Sequence, residues 1–244
     1  INSDFIPMLE ACKDRLNSVR SVVLLTDENE NPECQLDFSG EYEALLTEAS
    51  PLYNFLDFDE NAMATVFYTT GTTGLPKGVY FSHRQIVLHT YGMMSGLCAY
   101  KSLFHVDSSD VYMPLTPMFH VHAWGVPFLF TMLGAKQVYP GRFTPENTLR
   151  LAIKENVTFS HCVPTIIHML LNCPLIKTMQ FSNWKFVIGG SALPLGLLKD
   201  AQKHGLELHA AYGLSETAPL LTIANLKPHM FDWSPDQQEA VRCL

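Results

Sequence analysis

Between residues 62 and 210, short β-branched apolar runs alternate with amphipathic helical patterns, and this alternation admits few architectures. Strand patterns fall at 62–69, 111–115, 137–139, 157–162, 185–188 and 206–210. Helical patterns fill the gaps. Ser82 and Gln85 form a capping box for a helix from His83. The apolar run 124–133 reads as a buried helix closed by Gly134. Thr144 and Pro145 open the next helix, with Leu149, Ala152 and Ile153 on its inner face. Further helices are expected at 165–171 and at 194–203, the latter ended by Gly205. Strand and helix in turn at this spacing imply right-handed βαβ units, hence an α/β fold with a mostly parallel sheet flanked by helices. Upstream, Ser3 is expected to cap a helix carrying Ile6, Leu9 and Leu16, followed by a strand at 22–25. The acidic stretch 27–40, with Asn, Pro and Gly, reads as a surface connection and the best candidate linker. Phe38, Tyr42, Leu45 and Leu46 predict one more helix, ending near Pro51.

Composition excludes several functions. With 244 residues, 47% apolar and 16% charged, the chain has the means to build a core and is not a disordered tail. It carries 24 acidic and 16 basic residues, and the net charge of -8 argues against sequence-independent nucleic-acid binding. Anionic small molecules stay open, because backbone amides bind those locally. The longest apolar run, 124–135, is too short to span a bilayer, and no basic-then-apolar leader is present. The six cysteines (12, 34, 98, 162, 173 and 243) show no C-x-x-C spacing and read as reduced thiols of a cytoplasmic protein. The chain starts at Ile1 without Met and stops at Leu244 in a helical pattern, as expected of a fragment.

The most informative stretch for chemistry is YTTGTTGLPKG at 68–78, with three glycines, four threonines and Lys77. Glycines let backbone amides turn toward a ligand, hydroxyls add donors, and the lysine adds a point charge, a set that suits a polyphosphate. It is not a Walker loop, because Gly78 follows Lys77 and the spacing from Gly71 is wrong. Two more Gly-bearing loops follow strands: Gly189-Gly190-Ser191-Ala192, and Tyr212-Gly213-Leu214-Ser215-Glu216-Thr217. Ligands of open parallel sheets bind beyond the carboxyl ends of strands, so these loops are expected to converge. The paired glycines would admit a flat ring, Tyr212 would stack on it, and Glu216 is a hard oxygen ligand for Mg²⁺. The segment 213–217 lacks the last glycine of a nucleophile elbow. His120 and His122 have no metal-ligand partners at suitable spacing and read as pocket wall.

Four motifs in order carry a resemblance: YTTGTTGLPKG at 68–78, PMFHVHAWG at 117–125, GGSALP at 189–194 and AYGLSETAP at 211–219. Together they resemble the adenylate-forming enzymes, which include acyl- and aryl-CoA synthetases, peptide-synthetase adenylation domains and firefly-type luciferases. The resemblance implies that Thr69, Thr70, Gly71, Thr72, Thr73, Gly74 and Lys77 surround the β- and γ-phosphates of ATP. It implies that Gly190, Ser191 and Ala192 border adenine and the acyl pocket, and that Tyr212, next to Gly213, stacks on adenine. Thr217 would contact the α-phosphate, Glu216 would bind Mg²⁺, and His120 would stand beside the substrate carboxylate, with Trp124 and Gly125 continuing the acyl pocket. The implied reaction joins a carboxylate to the α-phosphorus of ATP, and coenzyme A then displaces AMP; no protein nucleophile takes part. Lys77, Thr217, Glu216 and His120 are the expected catalytic groups, working by position and charge.

The resemblance also implies that residues 1–244 are part of an N-terminal AMP-binding domain, with 1–60 a packing segment and 61–223 the core of the nucleotide and acyl sites. A ribose-binding aspartate, a hinge and a C-terminal lid domain with a catalytic lysine are not identifiable before Leu244. Activity is therefore expected of a full-length parent, with this chain weak or inactive by itself. The GGSALP form and the FHVHAWG segment resemble fatty acyl-CoA synthetases of medium or long chain. Two alternatives stand beside a fatty acid substrate: an aryl or amino acid adenylating domain, and a non-catalytic nucleotide-binding module. An amino acid pocket would need a carboxylate for the ammonium group, and the sequence offers none near His120 or Gly190. Oligomeric state stays open.

Overall fold

Residues 1–26, 32–69, 74–99 and 104–244 are described by a computed structural model of the chain. It divides into two units, Ile1–Asp57 and Phe58–Leu244.

In the first unit a 3-10 turn (Ser3–Phe5) leads into α1 (Ile6–Glu10), and a second 3-10 turn covers Lys13–Arg15. The cap is Asn2, whose side chain accepts from the Asp4 amide, and not Ser3. The helix breaks before Leu16, since so short a helix is held by packing and here only Ile6 is buried. Strands β1 (Val23–Leu24) and β2 (Gly40–Glu41) pair in parallel, and Glu41 caps α2 (Tyr42–Glu48).

The second unit opens with a departure from the sequence reading. Strand β3 (Met63–Thr69) does not enter the parallel sheet; it pairs antiparallel with β4 (Lys77–Ser82) as a two-stranded hairpin. Lys77 and Gly78, expected in a loop, therefore lie on a strand opposite Thr69 and Tyr68. The capping box at Ser82 and Gln85 is present and starts α3 (His83–Cys98).

Among the described residues the main sheet has six strands in the order β10-β9-β8-β7-β5-β6. Strands β5 (Val111–Pro114), β6 (Lys136–Gln137), β7 (Phe159–Cys162), β8 (Trp184–Ile188) and β9 (Leu206–Gly213) run parallel, as the alternation predicts. Strand β10 (Leu220–Ile223) is an antiparallel edge that extends β9 through Tyr212 and Gly213. Between β5 and β6 the chain forms one turn, α4 (Val121–Trp124), and then α5 (Val126–Leu133), which Gly134 closes. Trp124 thus precedes the buried helix and is not part of it. Helices α6 (Pro145–Glu155) and α7 (Pro164–Asn172) flank β7, α8 (Leu195–Gln202) joins β8 to β9, and α9 (Pro235–Arg242) ends the chain. On α6 the buried stripe is Thr148, Leu149 and Ala152; Ile153 falls at its edge and is 43% exposed.

Alternate strand residues bury opposite faces. Met113, Cys162, Phe186, Ile188 and Leu208 pack with Leu149, Ile167, Leu170 and Leu198 of α6, α7 and α8. Tyr112, Phe159 and Val187 pack on the other face with Met93 and Leu97 of α3 and Leu129 and Phe130 of α5.

At the amino ends of the strands, Lys185 Nζ lies 2.7 Å from Asp110 Oδ1 and donates to the His105 carbonyl at 2.6 Å. The Asp110 carboxylate also accepts from Thr158 Oγ1 at 2.6 Å and from the Asp107 amide at 3.0 Å. Both side chains are nearly buried, so removing one partner strands the other charge. Lys185→Met should destabilise the fold by about 3–5 kcal/mol, read by urea unfolding; a change within about 0.5 kcal/mol, the surface-substitution range, would show the pair to be dispensable.

Candidate active site

A cavity of ≈ 310 Å³ opens beyond the carboxyl ends of β8 and β9, lined by His120, Val121, Trp124, Gly189, Gly190, Ala211, Tyr212, Gly213, Leu214, Ser215, Pro219 and Leu220. Its walls come from three segments, brought together because β5, β7, β8 and β9 are successive parallel neighbours.

The first wall is the α4 turn. Val121, His122, Ala123 and Trp124 all have positive φ (46°, 56°, 48° and 60°), so this turn is left-handed, and Gly125 continues it at 73°. Each non-glycine residue there costs roughly 1–2 kcal/mol of backbone strain. Burial offsets it: all four side chains are 7% exposed or less. His122 Nε2 lies 2.8 Å from Thr65 Oγ1 on β3, and its ring meets Phe67 edge-on at 4.4 Å. His122 therefore faces away from the cavity and ties the turn to the β3–β4 hairpin, while His120 is exposed on the cavity side. Burial, with His89 nearby, holds His122 below the usual imidazole pKa.

The second wall is Gly189-Gly190. A Cβ on Gly189 would stand 3.1 Å from the indole edge of Trp124, so the space expected to admit a ligand ring is taken by the protein's own tryptophan. The third wall is the end of β9 with the loop to β10. A Cβ on Gly213 would come within 1.9 Å of the Pro219 carbonyl oxygen, which demands glycine there. The Thr217 hydroxyl accepts from the Leu214 amide at 3.0 Å and meets the carbonyls of Leu214 and Pro219, so it is spent on the loop. Tyr212 is 57% exposed, with its ring free to cover a ligand.

The cavity thus gathers His120, Trp124, Gly189, Gly190, Tyr212 and Gly213 of the residues singled out from sequence, while Gly125, expected to continue the acyl pocket, is not in its lining. Ser191, Ala192 and Glu216 are exposed and Thr217 is half-buried, all outside its lining. Thr69, Gly74 and Lys77 sit on the hairpin, with Lys77 exposed. Thr70, Gly71, Thr72 and Thr73 lie outside the described residues. Among the described residues no cluster of three or more His, Cys, Asp or Glu could hold a metal. None of the six cysteines forms a disulfide, and among the described residues no helix is long and apolar enough to cross a membrane.

Sequence reasoning missed a polar group beneath this site. His161 on β7 is fully buried, with the Tyr112 hydroxyl 2.6 Å from Nε2 and Thr116 Oγ1 3.0 Å from Nδ1. Burial holds His161 at a pKa of about 3. His209 on β9 is also held at about 3, by burial first and then by the Arg242 charge, against the Ala224 carbonyl that accepts from its ring. Both pKa values lie below that of an unfolded histidine. Near neutral pH neither state binds the protons, but below pH ~6.5 the unfolded chain takes up protons the native fold refuses. Stability should fall by about 1.4 kcal/mol per pH unit for each histidine between pH ~6 and ~3. Denaturant unfolding at pH 7.5 and 5 checks this, and equal midpoints would refute it.

The chain matches the family model described as AMP-binding enzyme over residues 2–241. It is 36% identical over 241 residues to a long-chain-fatty-acid–CoA ligase of Thermus thermophilus, covering 96% of this chain and 41% of that protein. It is 33% identical over 245 residues to a medium-chain-fatty-acid–CoA ligase of Ectopseudomonas oleovorans, covering 99% and 44%. In fold it is similar to an anthranilate CoA ligase solved with anthranoyl-AMP (TM-score 0.76, 19% identity, 93% of this chain and 43% of that one). It is also similar to a long-chain-fatty-acid-CoA ligase from Archaeoglobus fulgidus (TM-score 0.73, 20% identity, 95% and 45%). The chain spans less than half the length of these two curated relatives. Parallel strands ending in this Gly-bearing cavity, and a match along nearly the whole sequence, make the chain a member of the AMP-binding enzyme family.

Proposed function

We propose that the protein activates a carboxylic acid, a fatty acid of medium or long chain, by joining it to the AMP of ATP, and then passes the acyl group to coenzyme A. The observation that carries this reading is the cavity itself, where Tyr212, the Gly189-Gly190 turn, His120 and Trp124 meet at strand ends. Tyr212 covers the adenine face. Gly190 and the neighbouring Ser191 and Ala192 border the junction of nucleotide and acid. His120 stands beside the reacting carboxylate. The segment of Thr69, Thr70, Gly71, Thr72, Thr73, Gly74 and Lys77 holds the β- and γ-phosphates. Lys77 supplies charge without needing to be a nucleophile. Glu216 binds Mg²⁺, which neutralises phosphate charge when present. Thr217 reaches the α-phosphate by exchanging one of its loop partners.

A second cavity of ≈ 350 Å³ supports the fatty acid reading. It runs between α3 and β10, is lined by Gly92, Met93, Gly96, Leu97, Leu220 and Ile223 among others, and shares Leu220 with the first. Cβ atoms on Gly92 and Gly96 would meet nothing within 4 Å, so their absent side chains leave room for an apolar chain. Among the described residues no Asp or Glu lines the first cavity, where an amino acid's ammonium group would need one.

Calorimetric titration with non-hydrolysable acyl-adenylates of graded length tests this reading. Affinity should rise by about tenfold for every two methylenes buried, at ~0.8 kcal/mol each. Affinity independent of length would remove the fatty acid assignment. Lys77→Ala should weaken ATP binding by about 10- to 100-fold, the range for a charge-assisted contact to phosphate. Equal ATP affinity in the variant would show that Lys77 does not grip phosphate.

A further inference from the structure

His161 takes no part in the proposed chemistry, yet it sits directly behind the site. Its neighbours Pro114 on β5 and Val187 on β8 place it in the middle of the parallel sheet, and it is fully buried. Its hydrogen bonds form a closed set. Thr116 Oγ1 donates to the His161 carbonyl at 3.3 Å, so the same oxygen accepts from Nδ1–H at 3.0 Å. That leaves Nε2 bare to accept from the Tyr112 hydroxyl at 2.6 Å. One neutral tautomer satisfies every polar atom, and the ring has one orientation. The ring lies against two aromatics: Tyr112 at 5.7 Å and 20°, and Trp124 at 5.0 Å and 37°. Trp124 is the only one of these side chains that lines the cavity, and its far edge rests on Gly189. The indole is therefore held between an imidazole of fixed orientation and a glycine with no side chain to yield.

An apolar ring in place of His161 would fill the space without the cost of desolvating an imidazole. What the histidine adds is a single defined orientation, anchored from two strands and a loop. We propose that His161, locked by Tyr112 and Thr116, is a positioning residue that fixes the indole of Trp124 and thereby sets which acyl groups the site accepts. This rests on the reading that the cavity holds an acyl-adenylate. His161 touches no substrate; it acts through Trp124. With the imidazole gone, the indole gains freedom to move back into the sheet, and the wall of the first cavity, which meets the second at Leu220, loses its shape.

The test is a double-substitution cycle on selectivity in the 244-residue chain. The readout is the ratio of dissociation constants for octanoyl- and palmitoyl-sulfamoyl adenosine. It is measured in the wild type, His161→Ala, Trp124→Ala and the double variant. His161→Ala should move the ratio by about 3- to 10-fold, the worth of an aromatic pair. In the Trp124→Ala background the same substitution should leave the ratio unchanged. A merely structural role would lower the melting temperature and leave the ratio alone. An unchanged ratio in His161→Ala, or an equal shift in both backgrounds, overturns the proposal. Tyr112→Phe and Thr116→Val keep the core filled and each should shift the ratio in the same direction by a smaller factor. They decide the matter if His161→Ala does not fold, and an unmoved ratio in both overturns it. A wild-type chain that binds neither analogue while unfolding cooperatively overturns the acyl-adenylate reading itself, and the role of His161 falls with it. Binding with a flat cycle removes only the role of His161.

Discussion

Parallel pairing of β5, β7, β8 and β9 sets the ends of four strands side by side, and the walls of the candidate site follow three of them, the α4 turn after β5, Gly189-Gly190 after β8 and the end of β9. The pairing holds because both faces of the sheet are covered. One face is packed by α6, α7 and α8, the other by α3 and α5. Parallel strands need this double cover, since their connections must return over a face. Once they are in register, Gly189 and Gly190 follow β8 where Tyr212 and Gly213 end β9, and no further device is needed to bring them together. The buried ion pair of Lys185 and Asp110 closes the opposite end of the same strands.

The site departs from local rules where it meets the α4 turn. A left-handed turn of Val, His, Ala and Trp is unfavourable by propensity and persists only if tertiary contacts over-determine it. Three contacts do so here. His122 reaches Thr65 on the hairpin, Val121 packs with Phe81 and Ala218, and Trp124 rests on Gly189 and His161. The turn thereby joins the hairpin that bears Lys77 to the sheet that bears Tyr212. On the proposed reading such a joint would serve to hold a nucleotide and an acid in one geometry before their bond forms.

Buried imidazoles recur in this unit. Burial lowers the pKa of His122, His161 and His209 alike, and none lies in the cavity lining. Histidines held this way give a fold that weakens on acidification. His120, exposed on the cavity side, stands apart from them.

The alternation of apolar runs determined the α/β class, the parallel core and most helix positions, because periods of 2 and 3.6 residues are local properties. The order of Gly- and Thr-rich motifs determined the family, since chemistry of that kind is written in contiguous loops. Chain partners were decided elsewhere. Residues 62–69 read as a strand, but nothing in them says that β4 will pair with them instead of the main sheet, because pairing is a contact between segments. Tyr212 and Gly213 read as loop until antiparallel β10 extends β9 over them. Trp124 reads as helix because its neighbours are apolar, and only packing against Gly189 and His161 holds its backbone at positive φ. His161 carried no signal at all. One histidine in an apolar strand says nothing of itself, and its partners, Tyr112 and Thr116, are 49 and 45 residues away in the chain. The sequence by itself thus settled what is local, period and motif, while the tertiary structure decided which strands pair, which strained turn is tolerated, and which buried side chain stands behind the site, because each depends on contacts between distant segments.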